Sequence, residues 1–175
     1  GRQASNYQTS VSYVSMACCW QPPVAAPTTI AAAELVSAPK QEFLNQDERA
    51  ALLKLARGTI EAHLNRKTRP EPKDLGFEVT PAMRQPAGVF VTLTKHDDLR
   101  GCIGTLAPDN PLFENVREYA VHAAVRDPRF SPVTAAELAD LRIEISVLTP
   151  RVPVASYQDI VIGKHGIFLT KGRRH

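Results

Sequence analysis

Two short apolar runs separated by four polar residues constrain this chain more than anything else in it. Gly88-Val-Phe-Val-Thr-Leu-Thr94 is β-branched and aromatic, and Leu99 to Thr105 resumes after Lys95-His96-Asp97-Asp98. Such a pattern predicts an antiparallel hairpin. The first run is apolar on both faces, which places it in the middle of a sheet. Leu141, Ile143, Ile145 and Val147 alternate with Arg142, Glu144, Ser146 and Leu148, the mark of a half-buried strand. A last hairpin is expected from Ile160-Val-Ile162, a turn at Gly163 to Gly166, and a return through Ile167-Phe-Leu169.

Helices fall between these runs. Asn45 as N-cap and Glu48 three residues on open one that carries Leu52, Leu53, Ala56, Ile60 and Leu64 at helical spacing and ends near Asn65. Pro70, Pro72 and Pro81 make Arg66 to Gln85 read mostly as loop. Asn110-Pro111 opens a second helix with Pro at its first position, and Asp127-Pro128 closes it. Thr134-x-x-Glu137 is a capping box for a short helix through Asp140. Strands and helices mix without a strict βαβ repeat. The expected class is α+β: a mixed, largely antiparallel sheet with flanking helices.

The charges divide the chain. Only Arg2, Glu34 and Lys40 precede residue 41, and 36 charged residues follow it. The Pro- and Ala-rich stretch 21–40 reads as a linker. Ahead of it, Ser10 to Ala17 is either one strand or part of a disordered leader. A lone strand is unstable, so a strand here is expected to join a sheet outside this chain. The domain proper is expected over 41–175, and because no element finishes at Lys171 to His175, it is expected to be cut short there.

The 21 basic and 18 acidic residues leave a net charge of +3, which names no partner. No run approaches the roughly 18 apolar residues of a spanning helix. The basic clusters Arg66-Lys67-x-x-Arg69 and Lys171 to Arg174 form no stripe, so neither membrane nor nucleic acid is an expected partner. Three cysteines, two of them adjacent, suit a reducing, intracellular compartment, and the expected location is the cytoplasm. Neither C-x-x-C nor H-x-x-x-H occurs, and Gly101-x-x-Gly104 is too short for a phosphate loop, so no metal and no cofactor are expected.

Chemistry concentrates in Leu99-Arg100-Gly101-Cys102-Ile103-Gly104. Strand alternation puts Arg100 and Cys102 on one face. A guanidinium there would favour the thiolate, and Gly101 and Gly104 would admit a ligand or another backbone. The plainer reading is a small buried Cys. Register is left open. A two-residue turn at Asp97-Asp98 sets Cys102 opposite Leu93; a three-residue turn, His96 to Asp98, sets it opposite Thr92 and Arg100 opposite Thr94.

That hexapeptide also resembles the signature of the AMMECR-type domain family. The resemblance spans about 43–175 and includes Gly88-Val-Phe-Val-Thr-Leu, Asp127-Pro-Arg-Phe130, Ile143-Glu-Ile-Ser-Val-Leu148 and the His165-Gly166 turn. It implies an α+β fold with a larger and a smaller subdomain. It also implies a protein similar to the A component of a system containing a Memo-like protein and a radical-SAM protein. Fusions with a Memo-like part in front make Val11 to Met16 readable as the tail of such a domain.

With this resemblance, Cys102 becomes the candidate nucleophile and Arg100 its electrostatic partner. His165 or His122 is the candidate base, and Glu144 a candidate acid on the outward face of its strand. Asp127 and Arg129, in the family-like Asp-Pro-Arg-Phe motif, join Gly101 and Gly104 as candidate binding residues. Two functions follow: a component of a covalent-modification system, or a non-catalytic module that docks a protein on the strand Leu99 to Gly104.

Overall fold

The computed structural model describes residues 11–18, 43–154, 156–162 and 165–168. Helix α1 (Gln46–Leu64) starts and stops where its caps predict. The Asn45 side chain accepts from the Glu48 N–H at 2.9 Å, and the Glu48 carboxylate accepts from the Asn45 N–H at 2.8 Å. The other Glu48 oxygen accepts from the Thr80 hydroxyl at 2.6 Å. Thr80 in turn caps α2 (Pro81–Arg84), so one buried carboxylate ties two helix starts together.

That short helix and a 3-10 turn over Pro72–Leu75 lie in the stretch expected to be mostly loop. Of the prolines that argue for loop, Pro72 and Pro81 stand at first helical positions, where a missing N–H costs nothing, while Pro70 lies in loop. Helix α3 (Leu112–Val125) begins one residue later than expected, with Pro111 as N-cap. The Leu112 N–H is drawn to the Gln85 carbonyl at 3.0 Å, and Asn110 bonds the Asn115 side chain instead of capping.

The strands are β1 (Val11–Cys18), β2 (Val89–Lys95), β3 (Asp98–Thr105), β4 (Leu141–Leu148) and β5 (His165–Phe168). They form one sheet in the order β3-β2-β4-β1-β5. β2 is antiparallel to β3 and β4, and β1 is parallel to β4 and β5. The α+β class and the central place of β2 are as expected. β1 is not: of the two alternatives, leader or strand, it is a strand, and it pairs within this sheet and not with one outside the chain. The linker assigned to 21–40 lies outside the described residues.

One face of the sheet carries the core. Val89, Val91 and Leu93 of β2 and Leu141, Ile143, Ile145 and Val147 of β4 are buried against α1 and α3, which contribute Leu52, Leu55, Ile60, Leu112, Val116 and Ala120. Burying such an aliphatic side chain stabilises by about 1.5–3 kcal/mol, so this layer holds α3 to the sheet. The opposite face carries half-buried Phe90, Thr92 and Thr94 and exposed Arg142 and Glu144.

Two turns differ from expectation. The β2–β3 turn is His96-Asp97, both with positive φ (52° and 69°), flanked by the pair Lys95 and Asp98. The expected last hairpin does not form; β5 runs alone beside β1. There the His165 N–H bonds the Val161 carbonyl at 3.0 Å and the Val161 N–H bonds His165 Nδ1 at 3.2 Å. Those bonds close a local loop and use backbone groups that a hairpin ladder would need.

Candidate functional site

Register decides where the thiol goes. From the turn, Thr94 pairs with Leu99, but then Leu93 pairs with Gly101 and Thr92 with Cys102. Arg100 is the extra residue of a β-bulge. A two-residue turn plus one bulged residue therefore sets Cys102 opposite Thr92, with Sγ and the Thr92 hydroxyl 3.2 Å apart. Gly101, its neighbour in the strand, is buried against α3, so the half-buried Cys102 side chain stands on the face away from the helices.

On the other side of β2, Glu144 of β4 lies opposite Thr92. Cys102, Thr92 and Glu144 thus form one row over three strands. At about 4.8 Å between neighbouring strands, Glu144 stands roughly 10 Å from Cys102 along that row.

The two glycines are occupied by the protein itself. A Cβ on Gly101 would fall inside the contact distance of the Ala123 carbonyl oxygen and 3.1 Å from its carbon. At Gly104 it would lie 2.6 Å from both the Cα and a ring carbon of Phe90. Of the two alternatives for these glycines, the structure shows the close approach of backbone, with the Phe90 ring beside Gly104, rather than of a ligand.

Asp127, just past α3, reaches back to β3. Its Oδ2 accepts from the Cys102 N–H at 2.8 Å and from Arg129 Nη2 at 2.7 Å, while Oδ1 accepts from the Arg129 N–H at 3.1 Å and Nε at 2.9 Å. Arg129 Nη2 also donates to the Cys102 carbonyl at 3.3 Å. The Asp127 side chain is 2% exposed and that of Arg129 is 54% exposed. The Arg129 guanidinium, helped by the backbone N–H groups, holds the Asp127 carboxyl well below the usual range although burial pushes it up. Both backbone groups of Cys102 therefore point away from β2. Thr92 and Cys102 form a non-hydrogen-bonded pair, the kind that brings side chains closest.

Arg100 is not the partner of the thiol. Its Nε and Nη2 donate to Glu137 at 3.0 and 3.3 Å, and its Nη1 and Nη2 to the carbonyls of Ser131 and Pro132 at 2.8 and 3.4 Å. The bulge takes it out of the alternation that was to align it with Cys102. Arg100, then the Thr134 N–H, lowers the Glu137 carboxyl from 4.5 to about 2. The cation beside Cys102 is Arg129.

His165 is not brought to the site either, since β2, β4 and β1 separate its strand from β3. The His122 ring meets Tyr119 edge-on at 5.5 Å, and its pKa is lowered by burial and by Arg126.

Two members escaped the sequence reading. Thr92 was legible only as one of two register alternatives. Glu137 was read as a cap, which it is, bonding the Thr134 N–H at 2.9 Å, but its other oxygen serves Arg100 and Lys95. Among the described residues no group of three or more His, Cys, Asp or Glu is placed to hold a metal ion. No described helix is long and apolar enough to cross a membrane.

Known proteins are similar to this chain in sequence and fold. Mbar_A1807 of Methanosarcina barkeri is 42% identical over 135 residues, 74% of this chain and 67% of its own length. A protein of Methanothermobacter thermautotrophicus is 43% identical over 136 residues, covering 74% and 69%. The crystal structure of the uncharacterized protein PH0010 from Pyrococcus horikoshii is similar with a TM-score of 0.52 and 41% identity, over 57% of this chain and 50% of that one. The chain thus spans half of that solved structure and about two thirds of these relatives. The profile of the AMMECR1 family matches residues 53–175, through β2, β3 and the Cys102 site, and the chain belongs to that family.

Proposed function

We propose that this chain is a component of a covalent-modification system in which Cys102 is the nucleophile and Memo-like and radical-SAM proteins are the partners. One observation carries the reading: the Cys102 sulfur lies 3.2 Å from a hydroxyl on the sheet face away from the helices, while Asp127 and Arg129 fasten its backbone. A thiol packed only as a small hydrophobe needs neither. Arg129 supplies the nearby positive charge assigned earlier to Arg100, and Glu144 is the proton acceptor, reached through Thr92. The thiol gives its proton along that row, and the sulfur bonds to an electrophilic carbon whose leaving group departs with its electron pair. The reaction belongs in the cytoplasm, where thiols stay reduced.

The test is mass spectrometry of the acid-quenched chain after co-expression with a Memo-like and a radical-SAM protein. The expected result is added mass on the Cys102 peptide that depends on both partners and is lost in Cys102→Ser. An unmodified Cys102 peptide in the presence of both overturns the reading.

The docking alternative draws on the edge position of β3. The bonds from Asp127 and Arg129 to Cys102 count against simple strand addition, so a docked protein would engage the face of Thr92 and Glu144. Arg100→Ala is then expected to leave capture of such a protein unchanged.

A further inference from the structure

An edge strand presents unpaired N–H and C=O groups to any extended chain that meets it. β3 is such an edge. In an antiparallel ladder alternate residues turn these groups outward, and on β3 Cys102 is one of them. Both of its outward groups are taken, the N–H by Asp127 and the carbonyl by Arg129. Two residues back, the Arg100 guanidinium grips the carbonyls of Ser131 and Pro132. The segment 127–132 is therefore fastened along the outer side of β3 at two points.

We propose that this segment is a plug that closes β3 to strand addition, and that the strand it excludes is β3 of a second copy of this chain. The partner follows from the composition of the strand. Antiparallel pairing of β3 with itself, centred on Cys102, sets Arg100 opposite Gly104, Gly101 opposite Ile103 and Leu99 opposite Thr105. No like charges face one another, and no proline interrupts the ladder. Leu99, 42% exposed, is then partly covered. The pairing is isologous, so it closes at a dimer. The plug acts whether or not Cys102 is a nucleophile.

The experiment compares the parent chain with Asp127→Ala and Arg129→Ala, each with Cys18→Ser and Cys19→Ser, by light scattering over a concentration series and by a short bis-maleimide cross-linker. The mass of both variants is expected to double as concentration rises while the parent stays unchanged, with the cross-link mapping to Cys102 on both copies. If Asp127→Ala fails to fold by circular dichroism, Arg129→Ala decides, because its exposed side chain carries little of the core. Variants that keep the mass of the parent at every concentration overturn the proposal. So does association without a Cys102 cross-link, which would mean aggregation through another surface.

Discussion

Adding one methyl group at Gly101 tests the packing that sets the faces of β3. The Cβ of Gly101→Ala would sit closer to the Ala123 carbonyl oxygen than the 3.0 Å that real Cβ atoms keep, and 3.1 Å from the carbonyl carbon. The obstacle is helix backbone, which cannot rotate aside as a side chain can. Relief requires the last turn of α3 to lift from the sheet, and overpacking of this kind costs about 1–3 kcal/mol. With backbone against backbone, about 3 kcal/mol is expected. For a chain of this size that lowers Tm by about 6–12 °C, at 2–4 °C per kcal/mol. The same lift carries Asp127 away from the Cys102 N–H, so the Cys102 amide should exchange with solvent faster in the variant than overall destabilisation accounts for. Calorimetry gives the first quantity and native-state hydrogen exchange the second. A Tm within about 1 °C of the parent would refute the close approach of α3 to β3.

Acid should act through Glu137. Its carboxyl is lowered to about 2, so the folded chain binds fewer protons than the unfolded one between the ordinary 4.5 and about 2. Its stabilisation is present above that window and is lost as pH falls through it. Glu137→Gln is expected to flatten the decline in Tm over that range, and an unchanged slope contradicts the pairing with Arg100. Replacing His96-Asp97 by Asn-Gly suits the two positive φ angles better and should raise Tm by about 2–4 °C, the exposed Asp97–Arg142 pair offsetting only part; a lower Tm in a thermal melt refutes this. Arg117, with its side chain 3% exposed, holds Glu71 at 2.8 Å and the Pro70 carbonyl at 3.1 Å. Arg117→Met keeps the buried stem but should cost about 2 kcal/mol in urea unfolding, since Glu71 and Glu114 remain partly solvated.

Features set by local chemistry were the readable ones. The start and end of α1 follow from Asn45, Glu48 and Asn65, and the buried face of β4 from its alternation, because each depends on residues a few positions apart. The place of β1 depends on pairing with strands more than 120 residues later, and nothing in Val11 to Cys18 records that. At the site, Cys102 was evident as a residue type, but its surroundings were not. A bulge at Arg100 changes which side chains share a face, and no composition signal announces it. Gly101 and Gly104 marked close approach correctly, yet the approaching groups are Ala123 and Phe90. Asp127 is legible as a helix end and as a candidate binding residue, but its bond to the Cys102 N–H depends on where the end of α3 meets β3. His165 was attractive for its setting between glycines, but strand order removes it from the thiol.

The most direct measurement is how fast Cys102 reacts with iodoacetamide in the folded Cys18→Ser, Cys19→Ser chain, against the same chain unfolded in guanidinium. The folded thiol is expected to react at least as fast as the unfolded one, to slow in Thr92→Val, which removes the hydroxyl 3.2 Å from the sulfur, and to recover in Thr92→Ser. A folded Cys102 that reacts tenfold or more slowly than the unfolded one, unaffected by Thr92, would show a packed structural cysteine and contradict the account.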